Sequence, residues 1–138
     1  MPEVKVQLRQ VGPSTSEAVL PRGHKVLVDR PEAKGGADKG PMGGEYFLTS
    51  VGGCFMSTLL AAIRAREAPV TNVRTEVTGV LTENPTRFTS VSLVVSADCD
   101  DDELFQRLIQ IAENGCLMVT TLKRGTEFSV SAETAARA

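Results

Sequence analysis

Two thiols stand where a chain could use them for chemistry. Cys54 follows a glycine-rich lead, Gly35-Gly-Ala-Asp-Lys-Gly-Pro-Met-Gly-Gly44, inside an apolar helical stretch over residues 45–63, and Cys116 directly follows Asn114 and Gly115. A thiolate that attacks a peroxide O–O bond becomes a sulfenic acid, and a second thiol can convert it to a disulfide before further oxidation. That chemistry needs the two Cα atoms within about 7 Å of each other, which sequence separation does not determine. The helix break at Gly115, with a new helical turn starting at or just after Cys116, predicts a thiol at the positive end of a helix, where thiolate is favoured and the pKa falls. Beside Cys54, Gly52 and Gly53 remove side-chain bulk and would admit a small substrate or another backbone. Close helix packing accounts for the same glycines, and the two readings are compatible. Cys99 shares parity with Val95 and Ala97 at the end of a core-facing strand and reads as a small, inert core residue.

Other chemistries find little support. One histidine, His24, excludes multi-histidine metal sites and makes a Ser-His-Asp apparatus improbable; at a strand entrance it reads as an exposed ring. The glycine cluster before Glu45 matches neither GxxxxGK[ST] nor GxGxxG, so a flexible loop is the better reading than a phosphate cradle. With 15 basic and 17 acidic residues, and no basic stripe at helical or strand spacing, nucleic acid is an unexpected partner. Three cysteines without CxxC spacing fit neither a secreted disulfide framework nor a structural zinc site. No cofactor and no metal are expected. The opening residues lack the basic and apolar regions of a secretory signal, and no run reaches the roughly 18 uninterrupted apolar residues of a membrane span. The expectation is a soluble, cytoplasmic protein in which any disulfide is transient.

The elements that must position the thiols follow from periodicity. A chain of 138 residues reads as one domain over 1–138, large enough to bury roughly two-thirds of its unfolded surface, with a frayed tail over 133–138. Val4, Val6 and Leu8 alternate with polar residues as a half-buried strand, broken by Gly12-Pro-Ser-Thr-Ser16, and a second short strand covers residues 24–29. Residues 32–44 read as loop, and residues 45–66 as a helix apolar nearly all round, which belongs in an interior or at a subunit interface. Gly52 and Gly53 in its middle each cost about 0.8–1.0 kcal/mol relative to Ala, so some contact requires thin residues there. Val73, Thr75 and Val77, then Val91, Leu93, Val95 and Ala97, give two strands of an antiparallel hairpin turning at Glu83-Asn-Pro85. Asp100, Asp101, Asp102 and Glu103 cap a helix carrying Leu104, Phe105, Leu108, Ile109, Ile111 and Ala112, ended by Asn114-Gly115. One or two further turns over residues 117–122 and a last strand with Phe128, Val130 and Ala132 complete an α+β arrangement.

Four strings, Gly23-His-Lys-Val-Leu-Val-Asp29, Gly35-Gly-Ala-Asp-Lys-Gly-Pro41, Tyr46-Phe-Leu-Thr-Ser-Val-Gly-Gly-Cys-Phe55 and Ala112-Glu-Asn-Gly-Cys116, together resemble the OsmC/Ohr family of bacterial proteins over roughly residues 23–132. The resemblance implies an intertwined homodimer, with antiparallel sheets from both chains wrapped around paired central helices and two active sites at the subunit interface. It implies thiol-dependent reduction of organic hydroperoxides, and often of hydrogen peroxide, with Cys54 in the place of the peroxidatic cysteine and Cys116 in that of the resolving one. The family carboxylate ten residues before the first cysteine falls at Gly44, with Glu45 one residue later and about 100° round a helix. The arginine that holds the thiolate in such enzymes has three candidates, Arg9, Arg22 and Arg30. Lys34 is weaker, because an ammonium lacks the guanidinium fork. Leu117 stands where many relatives have proline.

The leading expectation is therefore a peroxidase of small hydroperoxides with Cys54 as nucleophile, Cys116 as resolving thiol, Glu45 as candidate carboxylate and a dithiol reductant. A second is a dimer that keeps the fold and binds a small apolar ligand with weak or no peroxidase activity, motivated by Gly44. A third is an inert structural dimer with buried cysteines.

Overall fold

The computed structural model describes residues 1–135. Its strands are β1 (Gln7–Gln10), β2 (Ser16–Val19), β3 (Lys25–Val28), β4 (Thr71–Thr82) and β5 (Arg87–Asp98), and its helices α1 (Gly43–Ala65), α2 (Asp102–Gly115) and α3 (Leu117–Arg124). This is the expected α+β order through α3. The chain gathers into two compact units, one of Met1–Gly52 with Glu76–Val94, the other of Gly53–Thr75 with the chain from Val95 onward. Helix α1 and the hairpin β4–β5 contribute residues to both.

In the first unit β1, β2 and β3 form an antiparallel sheet in that order, with Leu8 opposite Ala18 and Ala18 opposite Val26. The short strand β2 escapes the sequence reading, because Ser-Glu-Ala-Val carries almost no alternation; the Gly12-Pro13 break is in fact a hairpin turn, closed by Val11 N–H donating to the Thr15 carbonyl at 2.9 Å. The first strand starts at Gln7, and Val4, Val6 and Leu8 are exposed where half-burial was expected. Alternation sets which residues share a face, but burial requires a layer opposite that face.

The loop after β3 is pinned where the sequence reading expected flexibility. The Asp29 carboxylate is buried and accepts hydrogen bonds from Thr15 Oγ1 at 2.8 Å, Arg30 N–H at 2.7 Å and Lys39 N–H at 3.1 Å. Arg30 and Asp29 close the loop again through the backbone, Asp38 N–H to the Arg30 carbonyl and Asp29 N–H to the Pro41 carbonyl. Only glycine fits at 36, where a Cβ would lie 1.9 Å from the Arg30 carbonyl oxygen.

This unit's part of α1 packs by specific contacts. Tyr46 Oη donates to the Leu27 carbonyl at 2.8 Å, and the rings of Phe47 and Phe88 stack with centroids 5.6 Å apart. Val51 is buried, and a Cβ at Gly52 would meet Val77 Cγ2 at 2.6 Å, so the thin residue serves close packing on β4. By length and composition α1 could cross a membrane, and a third of its most apolar 18-residue window is buried.

The second unit buries Phe55, Leu59, Ala62 and Ile63 of α1 together with Val70, Leu108, Ala112 and Cys116. Helix α2 starts as read: Asp101 is the N-cap and accepts from Leu104 N–H at 3.0 Å, with Asp102 and Glu103 in the first turn. The two strands of the hairpin are joined by four residues, and inward positions alternate from Val73 to Gly79 and from Val91 to Ala97. The expected last strand does not form. Residues 125–135 carry no regular structure, and Phe128 and Val130 are 87% and 81% exposed. Their alternation is a strand pattern that pairs with neither sheet, and an unpaired strand gains no ladder hydrogen bonds. Of the tail expected to fray over 133–138, residues 133–135 are irregular and exposed, and 136–138 lie outside the described residues.

Burial by itself would raise the Asp29 pKa, but the hydrogen bonds from Thr15, Arg30, Lys39 and Ser14 outweigh it and hold the carboxyl well below its ordinary 3.8. A depressed native pKa stabilises the fold fully above the unfolded value, and that contribution drains away as pH falls through the native one. Thermal melts of wild type and Asp29→Asn should therefore differ by a constant gap between pH 5 and 8, wild type being the more stable. The gap should begin to narrow below about pH 4 and still be partly present at pH 2; a gap as wide at pH 2 as at pH 7 would show that the charge is not what Asp29 contributes.

Candidate thiol site

The second unit brings Cys54 and Cys116 together. Cys54 lies on α1, and Cys116 is the one residue separating α2 from α3, with an extended backbone at φ −86°, ψ 122°. The break therefore falls at Cys116 itself, one position later than an Asn114-Gly115 cap would place it: Gly115 stays in α2. On α1, Thr58 Oγ1 donates to the Cys54 carbonyl at 3.0 Å, and its methyl lies 3.6 Å from where a Cβ on Gly115 would sit. Across this contact Cys116 Sγ donates to Cys54 Sγ at 3.4 Å, with both thiols free.

The two sulfurs differ in access. Cys116 is fully buried, whereas Cys54 is half-buried, and a Cβ added at the neighbouring Gly53 would meet nothing within 4 Å. The two readings of the glycine pair thus separate between its members, packing at Gly52 and open space at Gly53. Among the described residues, the side-chain hydrogen bond from Cys116 is the one that reaches Cys54 Sγ.

The electrostatics of Cys116 correct the sequence reading. The helix terminus is there, since Cys116 is the N-cap of α3, and the N–H groups of Val119 and Met118 act on its sulfur to favour thiolate although neither makes a close capping hydrogen bond. Burial is the larger effect, and with the adjacent Cys54 thiol it pushes the pKa of Cys116 up, not down. Removing a thiolate from water costs more than the two amides of an eight-residue helix return.

The remaining candidates stand elsewhere. Glu45, exposed in the first turn of α1, accepts from Met42 N–H at 2.9 Å, the return half of a capping box. With Asp38 and Lys39 it also lines an open groove of about 440 Å³. A Cβ at Gly44 would touch the Phe88 ring at 3.7 Å. Arg9 pairs with Glu17 at 3.1 Å; Arg22, Arg30, Lys34 and His24 are exposed. Cys99 is half-buried in the connection between β5 and α2, its thiol donating to the Asp101 carbonyl at 3.3 Å. Among the described residues no group of three or more His, Cys, Asp or Glu side chains is placed to hold a metal ion. The sequence reading missed Asp29, a carboxylate at the end of a mostly apolar strand followed by Arg30-Pro31, which was the available signal.

Residues 36–131 match the model of the family described as OsmC-like protein. Similar solved structures include the OsmC-like protein of Mycoplasma pneumoniae, at 17% identity and TM-score 0.76 over 88% of each chain. The organic hydroperoxide resistance protein OsmC of Legionella pneumophila follows at 16% and 0.69 over 91% of each chain. The organic hydroperoxide resistance protein OhrB of Bacillus subtilis is 21% identical with TM-score 0.63, over 89% of this chain and 91% of its own. No curated protein matches the sequence.

With Cys54 and Cys99 replaced by serine, absorbance of the thiolate near 240 nm should show Cys116 ionising above its ordinary 9.0. Its rate of alkylation by iodoacetamide should accordingly keep rising about tenfold per pH unit beyond pH 8. A midpoint below 9.0 would mean that the α3 amides outweigh burial.

Proposed function

This chain belongs to the family of OsmC-like proteins, and from that membership and the paired thiols we propose that it is a thiol-dependent peroxidase of organic hydroperoxides. The observation that carries the reading is the 3.4 Å separation of a half-buried and a fully buried sulfur. The accessible sulfur of Cys54 attacks the distal peroxide oxygen, the O–O bond breaks, and the alkoxide takes a proton and leaves as an alcohol. Cys54 becomes a sulfenic acid, oxidised by two electrons. The Cys116 sulfur then attacks Cys54 Sγ, the S–O bond breaks, and hydroxide takes the thiol proton and leaves as water. A dithiol reductant returns both cysteines to thiols and is itself oxidised to a disulfide. The buried resolving thiol is protected from peroxide, and its proximity limits the life of the sulfenic acid.

A cytoplasmic homodimer is part of the same proposal. Exposed apolar surface at Leu60 of α1, Leu8 of β1 and Phe128 of the C-terminal segment supports it, as does the helix that is apolar on nearly every side. Light scattering after size exclusion should give twice the 14.7 kDa chain mass.

Substoichiometric cumene hydroperoxide should convert Cys54 and Cys116 into a disulfide found by peptide mass spectrometry. Cys54→Ser should lose peroxide turnover by at least about a hundredfold, whereas Cys116→Ser should complete one reaction and stall as sulfenic acid. A wild-type Cys54 that stays reduced while peroxide persists would sink the peroxidase reading.

A second reading, a dimer that binds a small apolar ligand with weak peroxide chemistry, is favoured by one observation: the Glu45 carboxylate is engaged by Met42 N–H while glycine occupies position 44. Gly44→Glu should raise peroxide turnover about tenfold or more if that reading holds, and leave it unchanged if the wild-type site is already competent.

A further inference from the structure

A disulfide between Cys54 and Cys116 has two sulfurs, and the environment of each bears on which one a reductant attacks and which one leaves. Thiol–disulfide exchange proceeds in line, so the attacked sulfur must be reachable and the departing one must accept negative charge. Cys54 Sγ is half-buried, on a helix whose preceding residue, Gly53, has open space at its Cβ position. Cys116 is fully buried, at the single residue between α2 and α3 that forms the N-cap of α3. The backbone N–H groups of Met118 and Val119 act on that sulfur.

We propose that the Cys54–Cys116 disulfide is reopened by attack at Cys54, with Cys116 leaving as a thiolate toward the Met118 and Val119 N–H groups of α3. The inference concerns the return half of the cycle and rests on the proposed function only in requiring that this disulfide forms. The reductant, of the vicinal or near-vicinal dithiol class, attacks Cys54 Sγ with one thiolate. The Cys54–Cys116 bond breaks, a mixed disulfide forms on Cys54, and the electron pair departs with Cys116, which then takes a proton. The reductant's second thiolate attacks its own sulfur in the mixed disulfide, releasing Cys54 as thiolate and closing the reductant's disulfide. Two electrons pass from the dithiol to the protein, and the oxygen chemistry takes no part.

The burial that keeps Cys116 a neutral thiol at rest would make it a poor leaving group, and the α3 amides offset part of that cost at the one moment when it carries charge. Residues Met118 and Val119 occupy the second and third positions of the helix, where backbone N–H groups have no partner within the helix. The same first turn accepts proline, which removes one N–H without ending the helix.

In a Cys99→Ser background the disulfide is prepared with diamide, which takes up the two electrons and two protons as its hydrazine, so the experiment needs no hydroperoxide and separates this inference from the peroxidase reading. Oxidised protein is treated briefly with 2-mercaptoethanol, quenched in acid, capped with N-ethylmaleimide and digested with trypsin, which places the two cysteines in separate peptides. The adduct should sit on Cys54 in at least about tenfold excess over Cys116; an equal split, or an excess on Cys116, overturns the proposal. Should diamide fail to close the pair, exchange of Cys116→Ser and Cys54→Ser with 5,5′-dithiobis(2-nitrobenzoate) decides it. Cys54 should react at least about tenfold faster, and equal or faster reaction of Cys116 overturns it. Met118→Pro should slow reopening severalfold and raise the pKa of Cys116 in the Cys54→Ser protein, while Met118→Ala, which keeps the N–H, should match the parent in both. Unchanged values for Met118→Pro would remove α3 from the mechanism.

Discussion

Everything chemical in this chain depends on one break in helical structure, the single extended residue between α2 and α3. Because that residue is Cys116, the end of one helix and the start of the next both converge on a sulfur, and the sulfur is buried at Cys54 of α1. A helix that continued through 116 would carry the side chain round with the α2 face. A longer loop would bring water to it. One extended residue does neither, and so the site has a dry thiol facing a wetter one. Under the proposed function, that difference in access would give reactivity toward a dissolved oxidant to the sulfur that solvent reaches and capture of the oxidised intermediate to the one it does not.

The two influences on Cys116 work in opposite directions on the same ionised form. Desolvation acts whenever the thiol is ionised, and the α3 amides act only when there is charge for them to meet. In the reduced protein the neutral thiol is the stable form and can donate its proton to the Cys54 sulfur. A sequence can announce the helix terminus but not the depth at which it is buried. The rule that helix N-termini lower thiol pKa values holds for partly exposed positions and is overruled here by the cost of removing the ion from water.

Legibility in the sequence followed the range of the interaction. Features carried by neighbours in the chain were visible: the Asp101 cap of α2, the alternation of β4 and β5, the apolar run of α1 and the breaker before Cys116. Features that need a partner distant in sequence were not. Strand β2 is held by its register with β1 and β3 and has almost no pattern of its own. Asp29 owes its role to Thr15 and Lys39, and the loop it gathers looked flexible because its glycines, which permit close backbone contact at Gly36, are the residues that also fill flexible loops. Glu45 sits one residue past the position where family likeness sought a carboxylate, and its nearest obligation is local, to the N–H of Met42. The paired thiols fall between these cases: each cysteine had a local signature, but their meeting across 62 positions rests on tertiary packing.

The same division explains the patterns that misled. Val4, Val6 and Leu8 alternate like a core-facing strand and are exposed; Phe128 and Val130 alternate like a strand and form none. At both ends of the chain the alternation leaves apolar residues exposed. Helix α1 makes the same point at larger scale, since a third of its most apolar window is buried and the cost of leaving the rest in water grows with area. In the proposed dimer a second copy would cover such surface, including the open flank at Gly53 beside Cys54. On that argument the proposed dimer is a condition for the chemistry as well as for stability, because a sulfenic acid resolved by a buried thiol is protected only if its outer side is also closed.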